Sequence, residues 1–105
     1  MRAGRLRHQI VIQICAATPD GAGAEVKTWS TFATLQASYE PLMGKELFAA
    51  QQEQARATTR FRVRFVAGIT PKMRVSFDNR LFNIESVIDP YGRGRELHLM
   101  CAEDV

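Results

Sequence analysis

The residue types most often used in catalysis are few in this chain and lie far apart. The only two histidines, His8 and His98, fall in different predicted strands, and neither has an acidic neighbour at metal-ligand spacing. Glu85 and Asp89 could form a carboxylate pair, but they flank a Pro-Gly turn, where solvated acids are common. The chain also lacks the GxSxG, GxxxxGK[ST], GxGxxG and HExxH motifs. We therefore expect no catalytic dyad, no metal or cofactor site, and no enzymatic activity.

The two cysteines, Cys15 and Cys101, lie in strand-like segments without CxxC spacing or a nearby histidine cluster. We interpret both as small buried hydrophobic residues in a reducing compartment, with a disulfide between them as the alternative. The basic segment Met1 to His8 resembles the start of a signal peptide, but no apolar core or cleavage site follows it. No apolar stretch approaches the roughly 20 residues that a membrane span requires. We therefore expect a soluble protein that is made and kept in the cytoplasm.

Arginines alternate along one predicted strand, at Arg60, Arg62 and Arg64, in a chain of net charge +3. This stripe has three interpretations. It is a solvated strand face that prevents edge aggregation, a contact to acidic residues of a neighbouring copy, or a track for a phosphate backbone. Phe61 and Phe65 are predicted to point inward, which argues against a platform on which bases stack. A small basic nucleic-acid-binding β-barrel module remains an alternative function on electrostatic grounds.

Alternation of apolar and polar residues with period two dominates the chain and predicts short strands. They fall at residues 8–15, 31–40, 58–65, 73–77, 81–87 and 96–101, with pairing resuming near residue 26 after an exposed loop at 16–24. Residues 78–80 are predicted to form a tight hairpin turn. We expect a single domain over residues 1–105 that is mainly β, a small antiparallel β-barrel or sandwich of about six strands with one inserted α-helix. The predicted inward set comprises Phe61, Val63, Phe65, Met73, Val75, Phe77, Leu97, Leu99 and Cys101.

The inserted helix, predicted at residues 44–56, has little apolar surface with which to hold itself on a core. Leu47, Phe48 and Ala55 are the only apolar residues on the face formed by positions 44, 47, 48, 51 and 55, and no Ser, Thr, Asp or Asn caps the start. A helix of this length is marginal in water without tertiary packing. We therefore predict a poorly anchored element that requires a partner.

Five short motifs, spread along nearly the whole chain, carry a resemblance to a known family. In this order and spacing they resemble the head-tail joining proteins of tailed phages and prophages, also called head closure or stopper proteins. The motifs are Gly4-Arg5-Leu6-Arg7-His8, Glu40-Pro41-Leu42-x-Gly44-Lys45-Glu46, Ala49-Ala50-Gln51-Gln52, Gly68-Ile69-Thr70-Pro71-x-Met73-Arg74 and Phe82-Asn83-Ile84-Glu85-Ser86-Val87-Ile88-Asp89.

The resemblance implies a small β-barrel with one helix and a structural role without catalysis or small-molecule substrate. Such a protein would form a homo-oligomeric ring beneath the portal and adaptor proteins, keep the packaged genome from leaking, and offer a docking surface to tail proteins. It would be made in the bacterial host cytoplasm, reside in the virion at the head-tail interface, and be able to touch packaged double-stranded DNA. It would not contact a membrane.

The resemblance also implies that the segment between the second and third main strands rearranges to line or plug a central channel. This segment corresponds to residues 40–56, where Leu47 departs from the family because members often have an aromatic residue there. We hypothesise a helix that is packed on the monomer through Leu47 and Phe48 and is released when ring neighbours offer better contacts. Charge reversal of all three arginines of the stripe is predicted to impair ring assembly while leaving the monomer folded. The candidate channel residues are Glu40, Met43, Gly44, Lys45, Glu46, Leu47, Phe48, Gln51 and Gln52.

Overall fold

Six antiparallel strands form a closed barrel, and one helix lies outside it. The computed structural model describes residues 7–19, 23, 25–53, 56–90, 92 and 94–104. The mainly β prediction is confirmed, and of the two architectures expected from the sequence the barrel is the one observed. Its strand order is β1-β2-β3-β6-β5-β4. The elements are β1 (His8–Pro19), β2 (Glu25–Pro41), α1 (Gly44–Glu53), β3 (Thr59–Arg64), β4 (Arg74–Phe77), β5 (Arg80–Ile88) and β6 (Glu96–Asp104).

The barrel interior is filled by side chains from alternate positions of every strand, as the period-two pattern predicts. Phe61 and Phe82 meet edge to face at its centre, with ring centroids 5.0 Å apart. Phe65 is an exception, because it is 45% exposed although the sequence places it inward. The strand ends one residue earlier, at Arg64, so Phe65 is released from the alternation. The buried core consists of Ile10, Ile12, Ala37, Phe61, Val63, Ile69, Met73, Val75, Phe82, Ile84, Leu97, Leu99 and Cys101.

The turn between β4 and β5 is formed by Asp78 and Asn79, both at positive φ, 53° and 59°. Two successive left-handed residues match the twist of a two-residue hairpin, and Asp and Asn tolerate this conformation better than other side chains. The predicted tight turn is confirmed, and Arg80 already belongs to β5.

β1 and β2 continue as a two-stranded ribbon beyond the end of the barrel. We define the ribbon as residues 14–19 and 25–31, which pair from Ile14 with Ser30 to Pro19 with Glu25. The loop predicted at 16–24 is therefore too long, because residues 16–19 belong to β1 although Ala16, Ala17 and Thr18 give no burial signal in the sequence. Residues 20–22 and 24 of that loop lie outside the described part of the chain. The ribbon contributes to an elongated molecule of 48 × 28 × 27 Å.

Arg74 fastens the base of the ribbon to the barrel. Its Nε donates a hydrogen bond of 2.6 Å to Gln13 Oε1, and its guanidinium lies over the Trp29 ring, 4.0 Å from the centroid. Cation–π contacts of this kind contribute on the order of 0.5–2 kcal/mol. The ribbon therefore leaves the barrel with a fixed direction at its base.

Candidate functional site

Helix α1 lies on the outer surface of the barrel and is attached through a small apolar cluster. Leu47 and Ala50 pack on Leu42, Ala57 and Met100, of which the last three are buried. The helix begins at Gly44 as predicted and ends at Glu53, before Arg56, which already lies in a turn. Ala55, counted toward its apolar face, lies outside the described residues. Met100 lies out of phase with the inward residues Leu99 and Cys101 of β6, and it is buried because the helix covers it.

The hypothesis that Leu47 and Phe48 together pack the helix on the monomer is half right. Leu47 is half-buried, whereas Phe48 is 69% exposed and the preceding Met43 is 75% exposed. Residues 47 and 50 share one face of a helix, while residue 48 points about 100° away from residue 47, so only one of the two neighbours can face the barrel. The helix and the residue that precedes it thus present two large apolar side chains to solvent.

Glu40, at the end of β2, is bound by two arginines of the neighbouring strand β3. Arg60 donates from Nη2 and Nε to Glu40 Oε1 at 2.7 and 3.1 Å, and Arg62 Nη2 lies 3.3 Å from the same oxygen. Ser38 donates to the other carboxylate oxygen at 2.8 Å. Glu40 pairs with Arg60 in the strand register, so strand pairing itself brings these charges together. We call Glu40, Arg60 and Arg62 the Glu40 clamp.

The electrostatics of the clamp favour an ionised carboxylate. Burial alone would raise the pKa of Glu40, but the hydrogen bonds from Arg60 and Ser38, together with the charges of Arg60 and Arg62, hold that pKa below its usual value. Two of the three stripe arginines are thus paired within the chain, and their side chains are only 19% and 20% exposed. Arg64 lies at the strand end and is exposed.

The remaining candidate residues of the segment are exposed. Lys45 and Gln52 are exposed, and Glu46, 65% exposed, lies 3.9 Å from Arg60 Nη2. Gln51 Nε2 donates to the Ala57 carbonyl at 3.3 Å and so ties the last turn of the helix to the chain that follows. Gly44 has φ of 58°, a conformation in which any side chain would be strained.

An open groove of about 290 Å³ separates the helix from the barrel surface. It is lined by the polar residues Glu46, Arg60 and His98 and by the apolar residues Leu42, Ala49, Ala50, Ile88 and Met100. Ile88, at the end of β5, is 38% exposed. The helix is therefore docked over part of an apolar surface that it does not fill.

His98 also lines this groove, and the sequence analysis did not predict its contact with an acidic residue. Its Nε2 lies 3.5 Å from Glu96 Oε1, is buried, and has no hydrogen-bond partner among the described residues. Burial and then the charge of Arg62 lower the pKa of His98, against the opposing effect of Glu96. Residues two apart in a strand share a face. The spacing of Glu96 and His98 on β6 could therefore have revealed this pair.

Both cysteines are free thiols, so the alternative of a disulfide between them is wrong. Cys101 is in the core, where burial raises its thiol pKa, and Cys15 is half-buried on the ribbon. Within the described ranges, no group of three or more His, Cys, Asp or Glu residues could hold a metal ion. None of the described helices is long and apolar enough to cross a membrane.

Comparison with known proteins points to one family. The sequence model of the family described as phage head completion protein matches residues 1–104. The solution structure of protein SF1141 from Shigella flexneri 2a is similar over 100% of this chain and 98% of that one, with 30% identity and a TM-score of 0.83. A chain of the virion of the native gene transfer agent particle is similar in fold, with 21% identity, a TM-score of 0.62, and coverage of 96% and 97%. No curated protein matches the chain.

Proposed function

Because this chain belongs to the phage head completion protein family, we propose that it is a structural virion protein that joins the phage head to the tail. In this proposal, copies of the chain form a ring below the portal and adaptor proteins, close the DNA-filled capsid, and provide the surface on which the tail docks. The observation that carries the proposal is the family match, which spans almost the whole chain and not only one motif. The role is structural and involves no catalysis.

The weak attachment of α1 supports the proposal that this helix moves when the ring forms. Leu47 and Ala50 attach the helix to the barrel, while Met43 and Phe48 remain exposed on its outer side. A helix of ten residues gains little stability by itself, so small differences in contact decide its position. We propose that the helix detaches in the ring and that Met43 and Phe48 are buried against neighbouring copies at the channel.

The Glu40 clamp supports the proposal that the chain before α1 stays on the barrel while the helix moves. Glu40 belongs to β2 and is bonded to β3, so it stays with the barrel while the residues from Met43 to Gln52 change position. Within the arginine stripe, Arg64 is the member that the clamp does not use, and we propose that it meets acidic residues of a neighbouring copy. The clamp also neutralises part of the charge that a nucleic-acid interface would need.

Heads that have packaged DNA but lack this chain provide the test. Purified chain is added to such heads, and nuclease-resistant DNA and cryo-electron microscopy of the portal vertex are the two readouts. We expect a new ring below the portal and adaptor, together with retention of DNA that otherwise leaks. Heads that retain DNA equally well without the chain, or a chain that does not bind the portal vertex, would contradict the proposal.

The same purified chain distinguishes the alternative of a nucleic-acid-binding module. Such a module would bind generic duplex DNA as a monomer, with affinity that falls steeply with salt concentration. We expect weak binding, because the clamp occupies two of the three stripe arginines.

A further inference from the structure

The ribbon formed by β1 and β2 has two open edges. β4 pairs with β1 at residues 11–13, and β3 pairs with β2 from Ala37 onward. Between the barrel and the tip, residues 14–19 on one side and 25–36 on the other therefore lack a neighbouring strand among the described residues. A strand edge of this length presents a row of backbone donors and acceptors to any chain that can pair with it.

The hydrogen bonds of the barrel determine which backbone groups point out of the β1 edge. In an antiparallel ladder the N–H and C=O of one residue face the same neighbour, and those of the next residue face the opposite one. The Ile84 amide donates to the Met73 carbonyl, so Met73 faces β5 and Arg74 faces β1. Gln13 pairs with Arg74 and therefore faces β4. Along the same strand, the groups that face the open edge are those of Cys15 and Ala17.

The same alternation determines which backbone groups point out of the β2 edge. Because Gln13 faces β4, Ile14 faces β2 and is met by Ser30. The backbone groups of Ser30 are thus used within the ribbon. Those of Lys27, Trp29 and Thr31 face the open edge.

The middle of each edge carries few residues that would protect it from pairing. Natural sheets guard open edges with charges, prolines or bulges. Here such features lie at the ends of the edges, with Pro19 and Glu25 beside the tip and a bulge in the β1–β2 pairing at Ile12 and Gln13 beside the barrel. Between them, Val26 to Thr31 contains one charge, Lys27, and no proline. The β1 edge from Ile14 to Thr18 contains no charge at all. Ile14 and Val26, on one face of the ribbon, are also 38% and 47% exposed.

We propose that the ribbons of neighbouring copies pair edge to edge, so that the β1 edge of one copy binds the β2 edge of the next. This inference rests on the proposed ring and names the surface that holds it together. When all ribbons point along the ring axis, β1 of one copy runs antiparallel to β2 of its neighbour, which is the pairing both edges already use inside the chain. The contact is heterologous, because different edges meet, and repetition around an axis closes into a ring.

A second copy is the occupant that the ribbon itself favours. Each copy supplies one edge of each kind, so every edge in a closed ring is used and none is left open. The uncharged β1 edge opposes Lys27 with no like charge, and the exposed Ile14 and Val26 gain apolar neighbours along the seam.

Hydrogen exchange of the ribbon amides in assembled heads tests this pairing. In the free chain, the amides of Trp29 and Thr31 should exchange rapidly, whereas those of Thr28 and Ser30, which face β1, should be protected. In heads carrying the ring, exchange at Trp29 and Thr31 should slow by about tenfold or more. Unchanged exchange at these two amides in heads that contain the chain would overturn the inference while leaving the proposed function intact.

The substitution Ala17→Pro identifies the partner, because it removes an edge donor from β1 and leaves the β2 edge unaltered. Protection of Trp29 and Thr31 in assembled heads should be lost in A17P and retained in A17S, which keeps the N–H. Protection that persists in A17P would show that another protein covers the edge. Protection of Thr28 and Ser30 in free A17P establishes that the ribbon still forms.

The reciprocal variant Thr31→Pro keeps the test decisive if A17P disrupts the ribbon. T31P damages the β2 edge, so in assembled heads it should remove the protection of Cys15 and Ala17. A mixture of A17P and T31P retains one intact type of seam and should give dimers that do not grow into rings. Rings of normal size from either variant alone would overturn the inference, and wild-type chain that is absent from the heads would overturn the proposed function as well.

Discussion

At the scale of residues, Glu40 is the charged group on which the local geometry of the site depends. It accepts hydrogen bonds from Ser38, Arg60 and Arg62. We expect Glu40→Gln to reduce the free energy of unfolding by about 1–3 kcal/mol, because it leaves partly buried guanidinium groups without their counter-charge. Urea denaturation measures the loss.

Glu46→Gln is the matched control for that substitution. Glu46 is 65% exposed and lies 3.9 Å from Arg60, so its charge is screened by solvent. We expect a change within about 0.5 kcal/mol. Equal losses in the two variants would mean that the clamp does not stabilise the chain.

His98 should make stability depend on pH just below neutrality. Its pKa in the folded chain lies below the ordinary value of 6.5, so the unfolded chain binds the proton more readily. As pH falls below about 6.5, stability should therefore decrease, until the lower folded pKa is passed. Denaturation midpoints at several pH values measure the slope, and His98→Gln should flatten it.

Glu40 contributes in a separate, more acidic window. Its pKa in the folded chain lies below the ordinary value of 4.5, so its stabilisation is present above that pH and is lost as pH falls through the folded pKa. Because the two windows are separate, the His98 prediction can be tested by itself. If the slope of stability against pH near pH 6 persists in His98→Gln, a group other than His98 is responsible for it.

Several residue-level features could be predicted from the sequence, and others depend on register. The outward phase of Arg60 and Arg62 follows from alternation alone. Their pairing with Glu40 requires the register of β2 against β3, which is set across an insertion of unknown geometry. Phe65 was misplaced because alternation does not indicate where a strand ends.

At the scale of elements, α1 should be the least stable part of the described fold. Its attachment rests on Leu47 and Ala50, whereas each barrel strand is held by two neighbours. We expect the amides of Gly44–Glu53 to exchange far faster than those of β3 and β5 in the free chain. Protection of the helix equal to that of the strands would contradict a movable helix.

Leu47 and Phe48 form a matched pair for testing the two faces of the helix. Leu47→Ala should speed exchange throughout α1, because it removes the larger of the two attached side chains. Phe48→Ala should change the free energy of unfolding by less than about 0.5 kcal/mol, since Phe48 is 69% exposed. If Phe48 is buried in the ring, F48A should nevertheless reduce DNA retention when added to packaged heads.

The elements themselves were largely predictable, except where tertiary contacts decide. Strong alternation located six strands, and the weak apolar face identified a poorly attached helix. The extension of β1 to Pro19 was missed because Ala16 and Ala17 carry no strong strand signal. Burial of Met100 could not be foreseen either, because its cover comes from a helix that is distant in sequence.

At the scale of the whole molecule, Arg64 tests how copies contact one another. Reversal of all three stripe arginines would also break the Glu40 clamp, so Arg64→Glu alone is the cleaner variant. We expect it to fold normally and to bind to the portal vertex about tenfold more weakly, the equivalent of ~1.4 kcal/mol. Titration of labelled chain onto packaged heads measures the change.

Lys72→Glu is the control for the change in net charge. Lys72 is also exposed, but it lies in the loop between β3 and β4. A similar loss of binding in K72E would indicate a general electrostatic effect and not a contact made by Arg64.

Barrel closure has a consequence for the time that this chain needs to fold. β1 must find β4, and β3 must find β6, across stretches of chain that include other complete elements. Proteins dominated by such distant pairings typically fold in milliseconds to seconds, because loop entropy is lost before the contacts that compensate for it are made. The local hairpins β1–β2 and β4–β5 can form before closure, so the open edges of the ribbon exist while the barrel is still incomplete. A newly made chain at high concentration is therefore exposed to premature strand pairing with other copies, and slow synthesis or low temperature should increase the yield of correctly closed monomers.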